Sequence, residues 1–342
     1  MIESESQVKK GGRSLWADAF LRLKKNRMAV ACAWIIAFFA LTAAYGEIVY
    51  WRYHILEAKT PVVLKPAAKL LSKILMADRV AGLQAPYQRQ NLDFQYRKPG
   101  WSRVKDSDGI TRTYVHLLGT DGLGRDVLHR VVQGTRIAFQ VGIITSIIAI
   151  PIGVILGCLA GYFGGRTDDF IVWLYSTFAA MPGLLFILAI AMVVGKGLLG
   201  VYLGIGLTTW VNLCRLIRGE VMKHKEMTYV KAARALGLGH LRIVFGHILP
   251  NVFHLVIITF SMSFPAAVST EVFMSFLGIG VQGEPSWGIM ISDARLRLWY
   301  GMWWELAFTT LAIFVIVLAF NLFGDALRDA LDPRLREQGE EV

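Results

Sequence analysis

Cysteine is scarce: Cys32, Cys158 and Cys214 are the three in 342 residues. All sit in or at the edge of apolar runs, and none is paired by local spacing, so neither a disulfide framework nor a zinc site is indicated. No Gly-x-x-x-x-Gly-Lys-Ser/Thr loop is present, so any ATP-driven work must draw on hydrolysis by another chain. Gly-x-Ser-x-Gly and His-Glu-x-x-His are missing too, which removes two familiar hydrolase signatures. His240, His247 and His254 are seven residues apart. On a continuous helix that is about 10 Å per step, too far for one metal ion, and Pro250 interrupts the series. The net charge is +11. Without a basic helix interleaved with aromatics, or any nucleic-acid motif, that charge is not the footprint of a nucleic-acid partner.

What the chain has in excess is apolar sequence: 55% of it is hydrophobic, with mean hydropathy +0.48. Soluble domains sit near 45–50%. The surplus is gathered into long runs, as in a membrane protein, and basic loops beside spans account for the charge.

Taken in order, residues 1–27 are polar and basic, and Ser14 to Leu23 reads as an amphipathic helix lying on the membrane surface. Met28 to about Tyr50 is too long for a signal-peptide core and reads as an uncleaved first span with a cytoplasmic N-terminus. Residues 51–136 form a long polar segment. Its lysines and arginines do not forbid an external position, because loops beyond about 60 residues escape the positive-inside rule. Within it, Ala67 to Val80 is expected to be an amphipathic helix and Asp106 to Gly109 a turn. Further spans are expected at about Ile137–Tyr162, Phe170–Val194 with a kink at Pro182, Leu198–Ile217, Asn251–Phe273 with a bend at Phe264-Pro265, and Trp304–Phe323. Gly153, Gly157 and Gly161 put small residues on one face of the second span, suited to close helix packing in lipid. Trp299, Trp303 and Trp304 stand where an aromatic belt is expected.

The loop between spans four and five has its own pattern. Tyr229, Ala232, Ala233 and Leu236 recur at i, i+3, i+4, i+7, one face of a short helix centred on two alanines. Leu241, Val244, Phe245 and Ile248 repeat the spacing; Gly237 and Gly239 break the chain between the two, and Pro250 ends the second helix or starts the next. The loop is short and carries Lys223, Lys225, Lys231, Arg234 and Arg242, which puts it in the cytoplasm. From spacing alone, a small apolar face packed on its own protein fits as well as a docking surface.

Residue order adds to this. Ala-Ala-Arg-Ala-Leu-Gly from Ala232, followed by His-Ile-Leu-Pro-Asn from His247, resembles the "EAA" loop of bacterial ABC importer permeases in its dipeptide/oligopeptide/nickel branch. Lys231 stands where the general motif has Glu. Four more blocks resemble that branch in the right order: Leu118-Gly119-Thr120-Asp121 with Gly124-Arg125-Asp126; the turn Gly164 to Asp168; Glu271 with Ser275-Phe-Leu-Gly-Ile-Gly280 and Pro285-Ser-Trp-Gly288; and the ending Gly324 to Arg334. Together they cover roughly 116–334. The resemblance implies an all-α polytopic fold of six spans: a first span at 28–50, an external loop at 51–136, a five-helix core at 137–325 with its coupling loop at 219–249, and a cytoplasmic tail at 326–342. It implies that Tyr229, Ala232, Ala233, Leu236, Gly237 and Pro250 belong to a coupling helix docking on a cytoplasmic ATPase. The implied partners are a homologous permease, two ATPase subunits that hold ATP and Mg, an external solute-binding protein and membrane lipid; the chain itself binds no cofactor.

Physically, Asp121, Arg125 and Asp126 can pair while Gly119 and Gly124 allow a tight fold, which reads as a structural cap at the outer mouth. Glu271 has two readings: a contact for a substrate ammonium, or a structural pair with Arg295 or Arg297 in the outer gate. Asn212, Ser261 and Ser263 are candidates to line a pathway, or to bond their own helix backbones. A channel independent of ATP, or a membrane-embedded enzyme, is the competing class. An enzyme needs convergent ionisable groups at one depth, and a channel needs no docking loop.

Overall fold

The computed structural model describes residues 15–54, 83–105 and 111–331. The helix expected over 67–80, the turn at 106–109 and the closing residues beyond Leu331 lie outside them. The regular structure of the described residues is helical apart from one hairpin. Helix α1 (Leu15–Lys25) meets α2 (Arg27–His54) at Asn26, whose Oδ1 accepts from the N–H groups of Met28 (3.0 Å) and Ala29 (3.2 Å) and so caps α2. Strands β1 (Gly100–Lys105) and β2 (Thr111–His116) pair antiparallel, with Gly100 opposite His116. The core follows: α3 (Val127–Phe163), α4 (Gly165–Ala180), α5 (Gly183–Val194), α6 (Leu198–His224), α7 (Thr228–Ala235), α8 (His240–Ile243), α9 (Leu249–Phe276), α10 (Trp287–Ala294) and α11 (Trp304–Leu331).

Five helical stretches are long and apolar enough to cross a membrane, or six if α4 and α5 count as one broken span. The Pro182 kink expected in span three is a break: α4 and α5 are bent by 92°. Pro182 has no N–H to carry the ladder on, and Met181 before it is extended. Helix ends also run past the apolar windows. The second span starts at Val127 rather than Ile137, because Asp126 caps it through the N–H groups of Leu128 and His129. The fourth runs on to His224 and the sixth to Leu331, and Gly164 to Asp168 is mostly the first turn of α4 rather than a free turn. Pro265 lies inside the continuous helix α9.

The glycine stripe of α3 is the main helix seam. A Cβ on Gly153 would meet Trp210 O at 2.9 Å, on Gly157 Cys214 O at 2.8 Å and on Gly161 Arg218 O at 2.6 Å, so three successive turns of α3 lie directly on the backbone of α6. Gly142 makes the same kind of approach to the Phe264 ring of α9. In lipid there is no hydrophobic gain from joining two apolar helices, so such close contact supplies the attraction. The three cysteines are free and buried. Gly157→Leu is expected to destabilise the detergent-solubilised protein by at least the ~1–3 kcal/mol of an overpacked core. Gly219→Ala on α6, where nothing lies within 4 Å, should leave melting unchanged or raise it slightly, since alanine favours a helix over glycine; equal melting of both variants would contradict the seam.

Candidate functional sites: the cap motif and the loop between spans four and five

The cap motif is built around Asp121, whose side chain is fully buried. Its Oδ1 accepts from the N–H groups of Leu123 (2.8 Å) and Arg125 (2.9 Å), and its Oδ2 from Arg125 Nε (2.7 Å) and from Arg130 Nη1. Asp126 does not pair with Arg125; besides capping α3 it meets His116 Nδ1 at 3.0 Å. Glycine is required at two points of close approach: a Cβ at Gly124 would lie 1.7 Å from Asn91 O, and one at Gly119 2.7 Å from the Trp304 ring. Thr120 Oγ accepts from Arg97 N–H (2.9 Å) and donates to Phe94 O, while Thr120 O accepts from Trp304 Nε1 (2.9 Å). Trp304 is therefore a buried clamp, not part of an interfacial belt; Trp299 is exposed.

The guanidinium of Arg130, on the first turn of α3, extends the cap to the far end of the sequence. It reaches Glu305 Oε1 (3.3 Å) on α11 and Asp293 (3.6 Å) on α10, and Glu305 Oε2 takes Arg297 Nη1 (3.0 Å). A neighbouring cluster on the same side has Arg136 stacked at 3.9 Å over the Tyr50 ring, paired with Glu284 and 3.6 Å from Glu47, which also accepts from Gln140 (2.8 Å). The sequence reading missed Arg130, Arg136, Glu47, Glu284 and Glu305. The signal was there: both arginines stand within ten residues of an apolar run, and starting the span at Ile137 left them in a loop, where a charge needs no explanation.

Glu271 is fully buried on α9, as is Ser275, whose Oγ–H it accepts at 2.7 Å. The arginine partners expected for it are engaged elsewhere: Arg297 on Glu305, and Arg295 over the Phe276 ring. Hydroxyls rather than cations meet the carboxyl, because the 277–286 turn folds back over the end of α9 and Ser275 Oγ also accepts Val281 N–H. The pathway candidates do not converge. Asn212 is exposed, Ser261 bonds Ile258 O and faces Gly324 of α11, and Ser263 lines a cavity of about 20 Å³ with Thr145, Ser146, Thr209 and Thr259, roughly room for one water. Among the described residues no three His, Cys, Asp or Glu side chains gather as a metal site.

At the opposite end of the molecule, the two-helix reading of the loop between α6 and α9 matches α7 and α8, with Gly237 in the left-handed region (φ +77°) at the turn. Pro250 sits in the first turn of α9, so it starts a helix; a π-turn, Val244–Ile248, joins α8 to it. The faces differ from expectation. Val230, Ala233, Ile243, Val244 and Ile248 are buried in one cluster with Val154, Cys158 and Tyr162 of α3 and Ile217 and Val221 of α6. Ala233 therefore belongs to the chain's own core, and Tyr229 packs against that core with its hydroxyl 2.8 Å from His224 Nδ1. Ala232, Leu236, Leu241 and Phe245 face outward, Leu236 being 81% exposed. Helical periodicity finds the apolar positions but not which neighbours the tertiary structure supplies. Tyr162 pins the loop from both sides, through His240 Nδ1 (2.9 Å) and the Arg234 guanidinium over its ring. Arg218 holds Asp168 with two hydrogen bonds of 2.5 and 2.7 Å nearby.

Burial raises the affinity of Asp121 for a proton, but Arg130, Arg125 and two backbone N–H groups outweigh it and hold its carboxyl below the ordinary value of 3.8. A depressed carboxyl stabilises the fold fully above its unfolded value and loses that contribution as pH falls through the folded one. The cap is therefore expected to loosen only below about pH 4, read as a change in tryptophan fluorescence. Asp121→Asn should remove that step and, by leaving Arg130 short of a buried partner, cost about 3–5 kcal/mol at neutral pH. An unchanged acid transition in Asp121→Asn would contradict this assignment.

Two family models match the chain. Residues 153–337 match the binding-protein-dependent transport system inner membrane component, and residues 14–61 the N-terminal transmembrane domain of oligopeptide transport permease C; the second lies outside the stretch whose motifs were legible in the sequence. The oligopeptide transport system permease protein OppC of Bacillus subtilis is 33% identical over 332 residues, 97% of this chain and 93% of the relative. The dipeptide transport system permease protein DppC of the same organism is 32% identical over 330 residues, 96% and 89%. The glutathione transport system permease protein GsiD of Pectobacterium atrosepticum is 39% identical over 222 residues, 65% and 73%. The chain belongs to the family of binding-protein-dependent transport system inner membrane components and is a multi-pass membrane permease subunit of the ABC importer type.

Proposed function

We propose that this permease forms half of a pathway for peptides of two or more residues and couples to a cytoplasmic ATPase through the loop 228–250. The observation that carries the coupling is the two-sidedness of that loop. Val230, Ala233, Ile243, Val244 and Ile248 fix it to α3, α6 and α9, while Ala232, Leu236, Leu241 and Phe245 stand as an apolar surface on its outer side. A loop held that firmly moves with the spans, so a push on its outer face becomes a movement of helices. The names of the relatives support a peptide substrate. Partners of the expected classes follow: a homologous permease, two ATPase subunits carrying ATP and Mg, and an external solute-binding protein. Glu271, sealed by Ser275, acts in this reading as part of the outer gate's structure rather than as a contact for the substrate.

Leu236→Asp puts a charge in the docking interface without touching the core. An unpaired buried charge at a cost of about 4 kcal/mol weakens association roughly a thousandfold. The variant is expected to reach the membrane in normal amount, lose its ATPase on co-purification and stop transporting. Ala233→Asp should instead reduce the amount of folded protein. ATPase recovery with Leu236→Asp equal to wild type, at matched membrane levels, would remove the coupling assignment.

The orientation follows from the basic loop between α6 and α9. Tags at residue 5, within 219–240 and at 340 are expected to be shielded in intact cells, and one within 85–110 accessible; the reverse pattern would overturn it.

A further inference from the structure

At the start of the first span, α1 lies across α2 and the end of α11. Ala19 of α1 is buried against Leu327 and Leu331, closing one end of the angle between the helices. Beyond that contact the helices diverge and leave a groove of about 410 Å³, lined by Phe20, Leu23, Ala29, Val30, Ala33 and Trp34, with Phe323 at its wall and Lys24 at its rim. Apart from Lys24 these are apolar side chains. Phe20 and Trp34 are 67% and 73% exposed, so the groove opens sideways toward the bilayer.

Its mouth is strongly basic. Arg22, Lys24, Lys25 and Arg27 fall within six residues where α1 turns into α2, and no acidic residue occurs between Asp18 and Glu47. Asp325 and Asp329 of α11 occupy helix positions on the far side from Phe323. We propose that the groove is a site for an anionic phospholipid of the surrounding bilayer: one acyl chain lies along Ala29, Ala33 and Trp34, and the phosphate sits against Lys24 and Arg27. A basic rim over an apolar crevice at the end of a span selects such a lipid over a zwitterionic one, whose ammonium these cations repel. The long stem of Lys24 covers apolar wall while its ammonium reaches the headgroup.

The test is native mass spectrometry of the whole transporter released from nanodiscs holding equal phosphatidylglycerol and phosphatidylcholine. Wild type is expected to retain phosphatidylglycerol, one molecule per copy of this chain. Reversing two cations, Lys24→Glu with Arg27→Glu, should lower that retention more than about fivefold, because each basic group near anionic headgroups is worth about that factor. Ala33→Phe, which fills the groove and leaves every charge in place, should lower it as well, and Lys24→Arg should not. Equal retention of both lipids, or retention unaffected by Ala33→Phe, would overturn the proposal. So would efficient disulfide trapping of a cysteine at position 33 to another polypeptide segment, which would make the occupant protein. The readout needs neither transport nor ATPase coupling, so it stands or falls separately from them.

Discussion

A guanidinium that has given up its water must be met by carboxylates, and the end of this permease that carries the cap motif is arranged around meeting one. Arg130 is 2% exposed and sits between Asp121, Glu305 and Asp293. These belong to segments far apart in the chain: the glycine-rich turn before α3, the start of α11 and the end of α10. Asp121 and Glu305 are not tolerable at that depth without the cation, nor the cation without them, while Asp293 meets it from a more exposed position. Burial therefore makes the three segments interdependent, and Trp304 adds a neutral link by donating to Thr120 O. The second cluster, Arg136 with Glu284 and Glu47, applies the same logic to α2, α3 and the turn after α9.

Inside the spans the constraint is different. Lipid does not push apolar helices together, so proximity must come from shape. The glycines of α3 let the α6 backbone come within contact distance over three turns. The seam leads straight to the loop between α6 and α9: Cys158 and Tyr162 on α3, and Ile217 and Val221 on α6, are the residues on which Val230 and Ala233 rest. The loop is thus an extension of the packed pair α3 and α6, which is what the proposed coupling role requires.

The hairpin over β1 and β2 shows how the segment between the first two spans was only half legible. Trp101-Ser-Arg-Val-Lys105 and Thr111-Arg-Thr-Tyr-Val115 are rich in aromatic and β-branched residues on either side of an Asp-Ser-Asp-Gly stretch, which is a hairpin pattern. Only the turn was read from it, because strands of six residues are weak against the surrounding polar sequence. The cap motif, by contrast, was legible down to Asp121 pairing with Arg125, since an acid and a base four residues apart in a glycine-rich turn have few other places to go.

The sequence by itself determined the membrane class, the approximate position of the long apolar helices, the glycine seam, the two helices of the loop between α6 and α9 and the family, because these depend on local composition, period and residue order. Only the tertiary structure decided the rest. It set which face of α7 is buried, turning Ala233 inward and Leu236 outward. It gave Glu271 a serine instead of an arginine, and made Trp304 a clamp. It broke the third span by 92° rather than bending it. It also brought Arg130 to Glu305 across 175 residues of chain. Each of these depends on which remote group fills the space beside a side chain, and a periodic pattern along one segment carries no information about that neighbour.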